Sequence, residues 1–102
     1  MTEEEALSAL TGLANKARLQ IVRLLVSAGS EGVNAGEIAD VLGSSPSAMS
    51  FHLSALKEAG LLKSSRQSRQ IVYSVDFDAM GGLLGYLLHD CCGGNAKVAS
   101  CC

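Results

Sequence analysis

Between Thr2 and Leu88 the apolar positions recur at three- and four-residue intervals, and only between Leu61 and Val75 do they alternate. That pattern predicts helices on either side of a short β segment. Thr2 and Glu5 have the spacing of a capping box and open a short helix carrying Leu7 and Leu10. Asn15 caps a second helix, NKARLQIVRLLVSAG, with Ile21, Val22 and Leu25 on one face and Gly29 as its stop. Both read as scaffold.

The next stretch is the most patterned. Asn34 and Glu37 repeat the capping-box spacing ahead of a helix with Ile38 and Leu42 one turn apart, ended by Gly43. Ser45 then caps SPSAMSFHLSALKEAG, Pro46 takes its first helical position and Gly60 terminates it. Two short helices joined by a glycine-containing turn predict a helix-turn-helix. LLKSSR and QIVYSV read as two strands, the second alternating Ile71, Tyr73 and Val75, with a polar tip around Gln67 and Ser68. A last helix starts near Asp76 and runs through FDAMGGLLGYLLHD, apolar on many sides and weakened by Gly81, Gly82 and Gly85. Such a helix needs close packing, and in so short a chain its natural partner is its own copy. The predicted fold is mainly α with a small β-hairpin wing, a dimeric winged helix-turn-helix. On this reading residues 1–90 are expected to form a DNA-binding and dimerisation domain, and residues 91–102 a cysteine-rich ligand-binding tail.

In the second helix of the motif Met49, Leu53 and Leu56 form the inward stripe, which turns Ser47, Ser50, Phe51 and Ser54 outward. Serine hydroxyls can bond base edges and phosphates, and an exposed phenyl can cover a thymine methyl; packing on the wing is the other reading of Phe51. His52, at the edge of the stripe and without companion ligands, reads as a packed, hydrogen-bonded structural histidine. Arg66 and Arg69 flank the wing tip where phosphate contact is natural, and Lys57 and Lys63 can add backbone contacts.

Composition narrows the class. A chain of 102 residues, 48% apolar, supports one small domain. No apolar run is long enough to span a bilayer, and three acids follow the opening Met-Thr where a secretory signal would carry bases, so a cytoplasmic protein without membrane association is expected. The net charge of −2 is unevenly spread: from Ser44 to Ser74, Lys57, Lys63, Arg66 and Arg69 stand against Glu58 alone. No phosphate-cradling loop, Cys-x-x-Cys pair or His and carboxylate constellation supports an enzyme or an organic cofactor.

Cysteine is the remaining chemistry. It is absent from the first ninety residues and then appears as Cys91, Cys92, Cys101 and Cys102. In a reducing compartment such a cluster points to metal binding or redox sensing, not to a disulfide framework. The negative end of the last helix disfavours a thiolate at Cys91 and Cys92, so a Lewis acid is needed to displace the protons. Gly93 and Gly94 would let the tail fold back and bring Cys101 or Cys102 to the same ion. Three thiolates suit trivalent arsenic or antimony, whereas four could hold Zn²⁺ or Cd²⁺. A thiol redox sensor is the further alternative. His89 and Asp90 read as polar groups at a helix end.

The stretches LANKARLQIVRLL and EIADVLGSSPSAMSFHLSALKEAGLLKSSRQSRQIVYSV, with the exit LKEAGLL into the wing, resemble the ArsR/SmtB family of dimeric metal-responsive repressors over about residues 5 to 90. The resemblance implies a homodimer that holds double-stranded operator DNA until its ligand binds. Where the best-known arsenic repressors carry a cysteine pair near the start of the first helix of the motif, this chain reads GVNAGEI. Its tail is similar instead to the arsenite-responsive subgroup with a vicinal pair closing the last helix and a further cysteine downstream. That likeness implies arsenite as inducer, with antimonite as a second candidate.

Overall fold

A computed structural model of the chain describes residues 1–91, with His89, Asp90 and Cys91 described by their backbone alone. The elements run α1 (Glu3–Leu13), α2 (Lys16–Ala28), a 3₁₀ turn (Gly29–Glu31), β1 (Val33–Asn34), α3 (Ala35–Leu42), α4 (Pro46–Glu58), β2 (Leu62–Gln67), β3 (Gln70–Val75) and α5 (Phe77–Gly85). Local chemistry sets nearly every boundary. Thr2 and Glu5 form the reciprocal capping box, and Asn15 Oδ1 accepts from the amides of Ala17 and Arg18. Asn34, Ser45 and Asp76 each accept from the amide three residues on. At the far end of α4, Leu61 N donates to Leu56 O and Gly60 N to Lys57 O, with Gly60 at φ +84°. This paired closure seals the helix while Leu56 and Leu61 both enter the core.

The core is one cluster. Ile21, Leu25, Ile38, Met49, Leu53, Leu56 and Leu61 are its largest fully buried side chains, contributed by α2, α3, α4 and the entry to the wing. Both the stripe expected on α2 and the one expected on α4 lie inside it. On α1, Ala6, Ala9 and Gly12 face inward, and Leu7 and Leu10 are 58% and 40% exposed. The reason is distance, since a Cβ on Gly12 would stand only 2.8 Å from the Cβ of Ala59 at the end of α4. Helices that close admit only small residues between them.

The β segment exceeds expectation. The hairpin forms in the register Leu62↔Val75 to Gln67↔Gln70, and β1 adds a third strand through Val33↔Tyr73 and Asn34↔Val72, giving the order β1-β3-β2. The wing is thus stitched to the segment that enters α3. Asp76 N donates to Leu61 O and closes its base.

The last helix begins where expected but does not stay α-helical to Asp90; from Tyr86 to Cys91 it widens into a π-helix. Gly81, Gly82 and Gly85 weaken the preceding α-helical turns, and Leu83 anchors α5 to the core with Met80, Tyr86 and Leu87 packed around it. Cys92, Cys101 and Cys102 lie outside the described residues. Among the described residues no helix is long and apolar enough to cross a membrane.

Candidate nucleic-acid interface

Gly43, in the left-handed region at φ +67°, turns the chain between α3 and α4, and the Ser45 cap with Pro46 at the first turn starts α4 at once. Burial of Met49, Leu53 and Leu56 then fixes the rotation of α4. Ser47, Ser50, Phe51 and Ser54 all emerge on its exposed face. Phe51 is 66% exposed. Its ring makes an edge contact with His52, centroids 5.8 Å apart, and lies 5.6 Å beneath the Arg18 guanidinium carbon.

At about 100° per residue, Ser50 and Lys57 fall on one flank of this outward face, and Ala48, His52 and Ala55 on the other. A side-chain bond secures each flank. On the wing side, Lys57 Nζ donates to Ser64 Oγ at 2.6 Å. On the opposite side, half-buried Arg18 donates from Nε to Nδ1 of half-buried His52 at 3.2 Å. His52 is therefore hydrogen-bonded and partly packed, with Nδ1 as the acceptor.

The wing tip is the two-residue turn Ser68–Arg69, in which Ser68 alone among the described non-glycine residues has positive φ, +59°. Arg66, Arg69 and Lys63 are all exposed. A serine-lined helix face thus stands beside a basic, water-facing wing, an arrangement suited to reading base edges while holding phosphates. At the α1 capping box, hydrogen bonds from the Thr2 amide and hydroxyl hold the Glu5 carboxyl below the ordinary range. Among the described residues no three His, Cys, Asp or Glu side chains converge as a metal site would require.

Arg18 was not among the positions the sequence pattern singled out. Its hydrogen-bond partner His52 lies 34 residues away, beyond any local rule. One local signal existed: the first turn of α2 contains Lys16 and Arg18 and no acid, against the preference of a helix N-terminus.

A helix-turn-helix domain family model matches residues 13–65. The HTH-type transcriptional regulator YgaV of Escherichia coli (strain K12) is 34% identical over 89 residues, covering 87% of this chain and 88% of that protein. Among solved structures, an ArsR-like transcriptional regulator from Rhodococcus sp. RHA1 superposes with a TM-score of 0.77 over 96% of this chain and 90% of its own, a likeness of fold at 24% identity. The homodimeric winged helix-turn-helix DNA-binding domain Mb0332 from Mycobacterium bovis, described as a possible ArsR-family regulator, is 28% identical with a TM-score of 0.68, over 85% of this chain and 80% of that one.

Proposed function

Because the chain belongs to the ArsR-type winged helix-turn-helix transcriptional regulators, we propose that it is a homodimeric repressor of operator DNA whose inducer is trivalent arsenic or antimony. Cys91, Cys92 and either Cys101 or Cys102 are its sensor thiolates. Ser47, Ser50, Phe51 and Ser54 approach the bases, and Lys57, Arg66 and Arg69 approach the backbone. The observation that carries the sensing is the placement of all four cysteines in the last twelve residues of a DNA-binding chain, beginning at the final position of its last helix. Soft thiolate donors select soft, thiophilic ions.

Support for the homodimer comes from surfaces that one protomer leaves open. On α5, Phe77, Gly81 and Leu84 share an outward stripe, and a Cβ at Gly81 would meet nothing within 4 Å of its own chain. Glycine weakens a helix, so its presence there fits close approach of a second backbone. Leu7 and Leu10 of α1 extend the exposed apolar surface. In this reading α5 and the π-helical turn after it have three tasks: Leu83 grips the core, Leu84 meets the partner, and the turn ends at Cys91, the first of the sensor cysteines. Thiolates drawn together there reshape the helix that sets the relation between the two α4 readers. A coupling of about 3 kcal/mol between ligand and DNA would weaken operator affinity about 150-fold, enough to release it.

The test titrates arsenite, antimonite, Cd²⁺ and Zn²⁺ into the reduced protein on its own promoter duplex, for the native chain and for Cys91→Ser, Cys92→Ser, Cys101→Ser and Cys102→Ser. Release by arsenite in excess reductant, abolished in Cys91→Ser and Cys92→Ser with DNA binding intact, is the expected result. Normal release in all four variants would remove the sensor from the tail. Release by oxidant alone, reversed by reductant, would make the chain a redox switch.

A further inference from the structure

Arg18 belongs to α2, the helix expected to serve as scaffold, yet its guanidinium reaches the outward face of α4. Its Nε is committed to His52 Nδ1 and its Cζ lies 5.6 Å over the Phe51 ring centroid. Among the described residues it has no carboxylate partner. Both terminal nitrogens therefore keep their N–H groups for another acceptor. A half-buried cation with a saturated inner edge and a free outer edge is oriented, and what it lacks is an anion.

Its location says which anion. A recognition helix in a major groove about 12 Å wide has a phosphate ribbon on each side. On one flank of α4 stands the wing, with Lys57 tied to Ser64 and with Arg66 and Arg69 beyond. The opposite flank has Ala48 and Ala55, which offer a phosphate no donor, and His52, whose Nδ1 is taken up by Arg18, with Arg18 itself beside them. Arg18 is thus the guanidinium that stands on this edge, as Arg66 and Arg69 stand on the other.

We propose that Arg18 contacts a backbone phosphate of bound duplex DNA on the flank of α4 away from the wing, with His52 as its positioning residue. This rests on the DNA-binding reading above. The imidazole accepts the Nε hydrogen bond and so fixes the fork, and the Phe51 ring lies within cation–π range of the guanidinium, leaving the two amino groups to bond phosphate oxygens side by side.

Because a phosphate carries no sequence information, the contact has a distinctive signature. The experiment measures affinity of the reduced, full-length protein for its own promoter duplex and for a scrambled duplex of equal length, from low to moderate salt. The variants are Arg18→Gln, His52→Asn, His52→Leu and the Arg18→Gln/His52→Leu pair, each checked for helicity by circular dichroism. Arg18→Gln should weaken both duplexes by the same factor, about tenfold, and flatten the plot of log affinity against log salt by about 0.9 for each Arg18 engaged. His52→Asn, which keeps an acceptor near the place of Nδ1, should retain most of the affinity. His52→Leu should lose part of it, and in the Arg18→Gln background should lose nothing more.

A native salt slope in folded Arg18→Gln overturns the inference and leaves the DNA-binding reading standing. Loss on the promoter duplex alone would make Arg18 a base reader and overturns the phosphate assignment. Equal behaviour of His52→Asn and His52→Leu removes the positioning role. Should the native chain bind neither duplex, the DNA-binding reading fails and the inference falls with it.

Discussion

Two glycines on either side of one turn separate backbone strain from steric collision. Gly29 has φ +69° and ψ −155°, and Gly32 has φ +74° and ψ −173°, a region that is essentially closed to other residues. Their surroundings are opposite. A Cβ at Gly29 meets nothing within 4 Å, whereas at Gly32 it would lie 2.4 Å from the Tyr73 carbonyl oxygen and 2.9 Å from Val72 Cγ1. Substitution by alanine should thus cost both sites about 1 to 3 kcal/mol for the backbone. Gly32→Ala should cost a further 1 to 3 kcal/mol, roughly, because β3 must move to admit the methyl. It should also detach β1, since Val33 pairs with the same Tyr73. Urea unfolding of Gly29→Ala, Gly32→Ala and the native chain, at one protein concentration because the stability of the proposed dimer would depend on it, reads the difference directly. Equal losses at the two positions, or a smaller loss at Gly32, would refute the idea that β1 is seated by contact with β3.

Three further outcomes follow from geometry already described. Ser68→Gly should stabilise the chain by about 0.5 to 1 kcal/mol in urea unfolding, because a left-handed residue with a Cβ is replaced by one without. Acidification should unpick the start of α1. The Glu5 carboxyl is held below its ordinary value of 4.5 by the Thr2 amide and hydroxyl, so its contribution is complete above that value and is lost as pH falls through the lower folded one; protection of the Thr2 amide in an NMR pH titration should follow it, and Glu5→Gln should remove the dependence. Gly81→Ala, although a better helix former, should weaken the dimer roughly tenfold or more in sedimentation equilibrium through overpacking, and a tightened dimer would exclude that stripe from the interface.

Much of this was legible because the responsible forces are local. Thr2, Asn15, Asn34, Ser45 and Asp76 announce helix starts by their own side chains, and the spacing of Met49, Leu53 and Leu56 settles which way α4 faces. What escaped depends on partners distant in the chain. β1 has two residues, too few to show alternation, and exists only because the edge of β3 is there to pair with it. Leu7 and Leu10 outrank Ala6 and Ala9 in hydrophobicity, yet the proximity of Ala59 selects the smaller side chains for the interior. Arg18 looks like any basic residue of a scaffold helix until α4 is laid across it.

The seam between α1 and α4 has a mechanical consequence. Ala6, Ala9 and Gly12 supply no long side chain that could bend or change rotamer to absorb a displacement, and at Gly12 the backbone itself nearly touches Ala59 where α4 gives way to the wing. A displacement of α1 along this seam would therefore meet the end of α4 first at Ala59, through a methyl and a backbone and not through a side chain that can turn aside.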